Sequence, residues 1–147
     1  MNAFITLCCC LSFSTLAMAQ SNPLQPFRWE NRILLVFADN SQQPTFQQQL
    51  EQFKEDESGL KERDLVVFQL LADEGKAPQQ QQLSTKSVQA LRQKYGVKYD
   101  EYTIILIGKD GGEKLRSKEL LSLEKLYNTI DVMPMRRAEM RRNKKEH

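Results

Sequence analysis

Few side chains in this sequence have the type and spacing to do chemistry. Arg136 and Arg137 are adjacent, and paired guanidinium groups hold a carboxylate, phosphate or sulfate in bidentate fashion. Asp131 and Glu139 flank them, so structural ion pairing is the other reading of the same four residues. Asp39, Asn40 and Ser41 form a polar cluster directly after an apolar run. The carboxyl end of a strand is where open α/β sheets bind ligands; a cap and a loop is the plain alternative. Asp110-Gly111-Gly112 could cradle a phosphate on backbone N–H groups, but it lacks the Lys-Ser/Thr of a P-loop. A tight hairpin turn explains it as well.

Other chemistries find little support. His147, at the chain end, is the only histidine, which argues against a Ser-His-Asp triad and against a histidine metal site. Acidic residues are plentiful, but nothing singles out a pair for two-carboxylate hydrolysis. Lys and Arg number 21 against 19 Asp and Glu, a net charge of +2, too weak to imply a nucleic-acid partner. The charge is uneven, however. From Arg136 to Glu146 there are six basic and two acidic side chains. Such a tail could meet anionic headgroups or cell-wall polymers, or simply be a solvated terminus.

The thiols are Cys8, Cys9 and Cys10. They lie in an uncharged N-terminal run that ends in Ala17-Met18-Ala19 before Gln20. This A-x-A pattern predicts a signal peptide cleaved after Ala19; an uncleaved anchor helix is the alternative. Lipid modification is disfavoured, because little apolar sequence precedes Cys8. Cleavage would leave a mature chain without cysteine, which a conventional core must then hold together.

The elements that must position these residues alternate in type. Ile33–Ala38 is a continuous apolar run, as suits a strand buried on both faces. Residues 44–60 carry Phe46, Leu50, Phe53 and Leu60 as one helical stripe, with glutamines and acids on the other face. Leu65–Leu70 is a second strand and residues 72–82 a glutamine-rich loop. Ser84 caps a helix carrying Val88, Leu91 and Tyr95, which Gly96 ends. Tyr102–Ile107 and Glu113–Arg116 flank the Asp-Gly-Gly turn as an antiparallel pair. Ser117 then caps a helix with Leu120, Leu123, Tyr127 and Ile130 on one face. Phe27 and Trp29 are expected to close the bottom of the core. The order β-α-β-α-β-β-α predicts an α/β thioredoxin-like fold, a mixed four-stranded sheet with helices on both faces.

Three segments, Phe27–Arg32, Gly108–Gly112 and Ile130–Met140, together resemble a domain of unknown function found in short exported bacterial proteins. That domain recurs in animal extracellular matrix proteins, the sushi-repeat-containing proteins and a coiled-coil-domain protein. The resemblance spans Phe27 to Met140. It implies a fold similar to thioredoxins and peroxiredoxins, and binding rather than turnover; it carries no settled catalytic residues. In a redox thioredoxin, Cys-x-x-Cys follows the first strand. The matching stretch, Ala38–Pro44, has no thiol, and Tyr99-Asp100-Glu101-Tyr102 stands where a proline usually precedes the third strand.

The sequence therefore predicts a periplasmic or secreted protein: a signal peptide over 1–19, a thioredoxin-like domain over 20–135 and a basic tail over 136–147. The expected role is a non-catalytic binding module without cofactor or metal. Its partner would be a protein or an anionic envelope polymer, with no nucleic acid and no membrane span after cleavage. The candidate binding residues are Arg136, Arg137, Asp131, Asp39, Asn40 and Ser41. A divergent thioredoxin/peroxiredoxin-like oxidoreductase lacking the usual cysteines is the alternative, and a self-associating structural protein a third.

Overall fold

The computed structural model describes residues 22–145; the expected signal segment, its cysteines and His147 lie outside them. The first strand, β1 (Arg32–Phe37), is buried at all six positions. It sits at the sheet centre, parallel to β2 (Leu65–Leu70) and antiparallel to β5 (Thr103–Ile107). Burial on both faces is what a continuous apolar strand requires. Leu34, Val36, Ile104 and Leu106 face α1 (Pro44–Glu55) and α4 (Leu123–Asp131), meeting Phe46, Phe53, Leu126 and Ile130. Ile33, Leu35, Phe37, Ile105 and Ile107 face α3 (Thr85–Tyr95), meeting Val88 and Leu91.

The expected order of elements is present, and β6 (Glu113–Ser117) pairs antiparallel with β5 through the glycine turn, where Gly111 has φ +85°. The sheet is larger than expected. Within residues 72–82, β3 (Gly75–Lys76) and β4 (Gln82–Leu83) pair and extend β2, giving six strands in the order β4-β3-β2-β1-β5-β6. Two-residue strands carry no alternation, so no hydrophobic pattern announces them.

Three helix boundaries differ as well. The first stripe is split at Asp56, whose carboxylate accepts from the Gly59 N–H at 3.0 Å and starts α2 (Glu57–Glu62). Ser84 and Gly96 cap α3 as expected, with Gly96 at φ +64°. Ser117, in contrast, stays in β6, and Ser122 caps α4 by accepting from the Lys125 N–H. The basic terminus forms a helix, α5 (Pro134–Asn143), so the boundary expected between Met135 and Arg136 falls inside it.

The late start of α4 has a side-chain cause. Gln49, on the face of α1 read as solvated, is fully buried. Its Oε1 accepts from the Leu121 N–H at 2.8 Å and its Nε2 donates to the Leu121 carbonyl at 2.9 Å. The Tyr102 hydroxyl donates to the same Oε1 at 3.1 Å, and burial pushes that phenol's pKa up. Gln49 thus pairs with the β6–α4 connection as a neighbouring strand would. Gln49→Leu orphans the Leu121 amide and carbonyl, and is expected to cost about 2 kcal/mol in urea unfolding. A loss below about 0.5 kcal/mol, the range of ordinary surface changes, would refute the clamp.

Candidate functional site

The two groups of sequence-predicted residues lie at opposite ends of β1. At its carboxyl end, Asp39, Asn40 and Ser41 are exposed. Their polar atoms serve the turn: Asn40 Nδ2 donates to Asp39 Oδ2 at 2.9 Å, and the Gln42 N–H donates to Asn40 Oδ1 at 2.9 Å. Gln47 Nε2 donates to the Ser41 carbonyl at 3.1 Å. Behind them lies a residue that sequence reasoning missed. Arg92, on α3, is 3% exposed and fills the space where the strands end. Its Nη2 donates to the carbonyls of Ala38 at 2.6 Å and Leu70 at 3.2 Å, and its Nη1 to that of Lys98 at 2.6 Å. The guanidinium lies 5.4 Å from the ring centroid of Phe37 and 5.5 Å from that of Tyr99. Burial lowers its pKa, while Tyr99 and Asp39 oppose the shift. The ligand-binding end of the sheet is thus filled by an arginine that ties together β1, β2 and the α3–β5 loop. The available signal was an arginine directly after Leu91 and four residues beyond Val88, on the buried stripe of α3.

At the amino end of β1, charged side chains converge from five elements. Arg32 opens β1 and is 1% exposed. Its two Nη atoms grip both oxygens of Glu139 on α5, each at 3.2 Å, and Nη1 also reaches the Arg63 carbonyl at 3.0 Å. Lys109, just after β5, bonds Glu139 Oε1 at 2.8 Å and Asp64 Oδ2 at 2.7 Å. Arg63 donates from Nε and Nη2 to the two oxygens of Asp131 at 3.1 and 2.7 Å, and stacks 4.0 Å over the Tyr127 ring. Arg136, 2% exposed, donates from Nε to Asp131 at 3.1 Å. Its Nη1 reaches the Glu62 carbonyl at 2.9 Å and its Nη2 the Glu62 carboxylate at 2.5 Å.

The electrostatics of this network are those of a clamp. Burial pushes the Glu139 carboxyl up, but Lys109 and Arg32 outweigh it and hold the group below its ordinary value. Burial acts on Asp131 in the same way and is overcome by Arg63 and Arg136. A general acid needs the opposite shift. The structure therefore brings the buried Arg136 together with the half-buried Asp131, with the Arg136 guanidinium occupied by protein acceptors. Arg137 does not join it and is exposed. Arg32, Lys109 and Arg63 were missed as partners. An arginine directly before a central-strand pattern was the one signal for Arg32, since the buried run extends to it.

The clamp fixes the orientation of α5. Among its residues only Arg136 is buried, so the helix is held by ions more than by apolar contact. With Arg136 and Glu139 turned inward, the outer side presents Arg137, Arg141 and Arg142, followed by Lys144 and Lys145, all exposed. No ion pair involves these five among the described residues. Beyond the clamp, Trp29 differs from expectation. Phe27 does pack edge-on against Phe68, 5.4 Å between centroids. Trp29 is 57% exposed at φ +71°, with its N–H donating to the Lys109 carbonyl at 2.7 Å. A large side chain pays a conformational penalty there.

Arg32, Lys109 and the Asp131–Arg136–Glu139 set come from the three segments that carry the family resemblance, and the fold joins them in one cluster. Residues 23–139 match the domain of unknown function DUF4174. The chain belongs to this family. The match ends on Glu139 and so includes every member of the clamp. A relative is coiled-coil domain-containing protein 80 of zebrafish (Danio rerio), 27% identical over 135 residues, covering 81% of this chain and 16% of that protein. The chain thus spans less than a fifth of that relative's length. Among solved structures, reduced 2-Cys peroxiredoxin of Plasmodium vivax superposes with a TM-score of 0.57 at 14% identity, over 80% of this chain and 84% of that one. Plasmodium yoelii thioredoxin peroxidase I gives 0.56 at 16% identity, over 78% and 79%. The fold of this DUF4174 member is thioredoxin-like.

Proposed function

We propose that this chain is an exported, non-catalytic binding module that holds an anionic partner on the outer side of α5. One observation carries the reading: a helix clamped through Arg136 and Glu139 displays three exposed arginines, with two exposed lysines directly after it, none with an acidic partner among the described residues. Rigid mounting lowers the conformational cost of binding, and arginine suits carboxylate, phosphate or sulfate groups. Export rests on the apolar run and the A-x-A pattern of residues 1–19. Against the oxidoreductase alternative stands the loop after β1. It holds Asp39, Asn40 and Ser41 where a thioredoxin-like enzyme carries its thiol, and all three cysteines fall at positions 8–10. In this reading Arg136 positions the helix, as its ion pairs allow, and Arg137, Arg141 and Arg142 are the contacting groups.

The test uses linear polyphosphate as the probe, by titration at two salt concentrations. The wild-type protein is expected to bind, more weakly at higher salt. Replacing Arg137, Arg141 and Arg142 with glutamine should abolish binding while leaving the far-ultraviolet circular dichroism spectrum unchanged. Retention of full affinity by that variant would refute the reading. So would an exported protein whose intact mass retains residues 8–10 and which consumes peroxide with a thiol reductant, which would restore the enzyme alternative.

A further inference from the structure

We infer that the anionic partner of α5 is the surface of a lipid bilayer; this rests on the binding role proposed above and names its ligand. The added observation is apolar. Val132 and Met135, at the α4–α5 junction, are 59% and 43% exposed. Neither contributes to the core, and both stand at the start of the basic helix. Met135 shares a shallow depression of about 410 Å³ with Ala138, Arg141, Arg142 and Lys145. The lining thus combines a thioether and a methyl group with three cations. The one carboxylate in that depression, Glu139, is held by Arg32 and Lys109.

A soluble polyanion offers nothing to an exposed valine and methionine. A bilayer surface offers both parts of the match: anionic headgroups for a polybasic segment, and the acyl boundary for two aliphatic side chains. The geometry requires a helix lying in the interface plane, and α5 lies on the surface with one side clamped to the domain. Arg137, Arg141, Arg142, Lys144 and Lys145 supply the attraction, and long cationic side chains keep their charged heads at headgroup level. Asp131 is bonded by both Arg136 and Arg63, and the charge of the exposed Glu62 is offset by the same two arginines.

The experiment is cosedimentation of the full chain with phosphatidylcholine vesicles, with and without phosphatidylglycerol, beside titration with soluble polyphosphate. The difference between the two vesicle types removes any contribution of the apolar residues 3–16. Binding is expected on the anionic vesicles in excess of the neutral ones. The Arg137→Gln, Arg141→Gln, Arg142→Gln variant should lose about 100-fold, at roughly fivefold per charge near an anionic surface. The Val132→Ser, Met135→Ser variant, changed only at exposed positions, should lose about tenfold on vesicles and nothing on polyphosphate. If the serine variant binds anionic vesicles like wild type, the bilayer inference falls and the anion-binding reading stands. If the glutamine variant keeps its affinity for both probes, both fall.

Discussion

Glu139→Gln is expected to remove about 3 kcal/mol of folding free energy, read as a lower urea midpoint with reduced helical circular dichroism. The physical reason is asymmetric. A buried ion pair contributes little beyond an apolar replacement, but removing one partner strands the other in a poor solvent, at about 3–5 kcal/mol. Glutamine keeps the size and one acceptor, which places the loss at the low end. Arg32, 1% exposed, would keep the Arg63 carbonyl and one amide oxygen but no charged partner, whereas Lys109 retains Asp64. Replacing both partners, as Arg32→Met with Glu139→Leu, should return most of the stability, because no charge is then left alone. A double variant as unstable as the single one would show that packing, not charge, holds α5.

The same network contributes to the response to acid. The carboxyls of Glu139 and Asp131 lie below their ordinary values of 4.5 and 3.8 in the folded protein. Through that window the unfolded chain binds more protons than the native one, so stability rises with pH. It is fully present above the ordinary values and is lost as pH falls through the folded ones. In Glu139→Gln the fall should be shallower, since one of the depressed carboxyls is gone. A melting profile equally steep in variant and wild type would contradict this assignment.

Arg92→Ala is expected to cost about 3 kcal/mol, by the cavity left and the bonds lost. Three carbonyls, those of Ala38, Leu70 and Lys98, lose a charged donor, and Phe37 and Tyr99 lose the guanidinium beside their rings. The loss is moderated because Leu70 also accepts from the Ala38 N–H and Lys98 from the Glu101 N–H. Arg92→Lys should recover only part, since one ammonium lacks the fork that reaches two strand ends and a loop. Amide exchange at Ala38 and Ala72, where β1 and β2 end, should quicken in both variants. Full stability of Arg92→Ala would mean that the strand ends are held by packing alone. The residue also bears on function, because its guanidinium fills the place where an open α/β sheet would otherwise receive a ligand.

The sequence alone was sufficient for the thioredoxin-like order, because that order is written in signals that act locally. Ile33–Phe37 and Ile104–Ile107 are unbroken apolar runs, Ser84 and Gly96 bracket α3, and Gly111 permits the left-handed turn before β6. Signals with no periodicity were lost: the two-residue strands β3 and β4, and the displacement of the α4 cap from Ser117 to Ser122 by Gln49.

The chemistry-bearing residues divide the same way. From Asp131, Arg136, Arg137 and Glu139 alone, ligand capture and mutual neutralisation are both open, because neighbouring charges have no direction until an element orients them. The tertiary structure decided it for Arg136, by carrying Glu62 from α2 and Asp131 from α4 to its guanidinium. It also brought Arg32 and Lys109, 107 and 30 positions from Glu139, onto one carboxylate. Whether a charge is buried and paired or left facing outward depends on the field of distant groups, and only the folded chain sums that field.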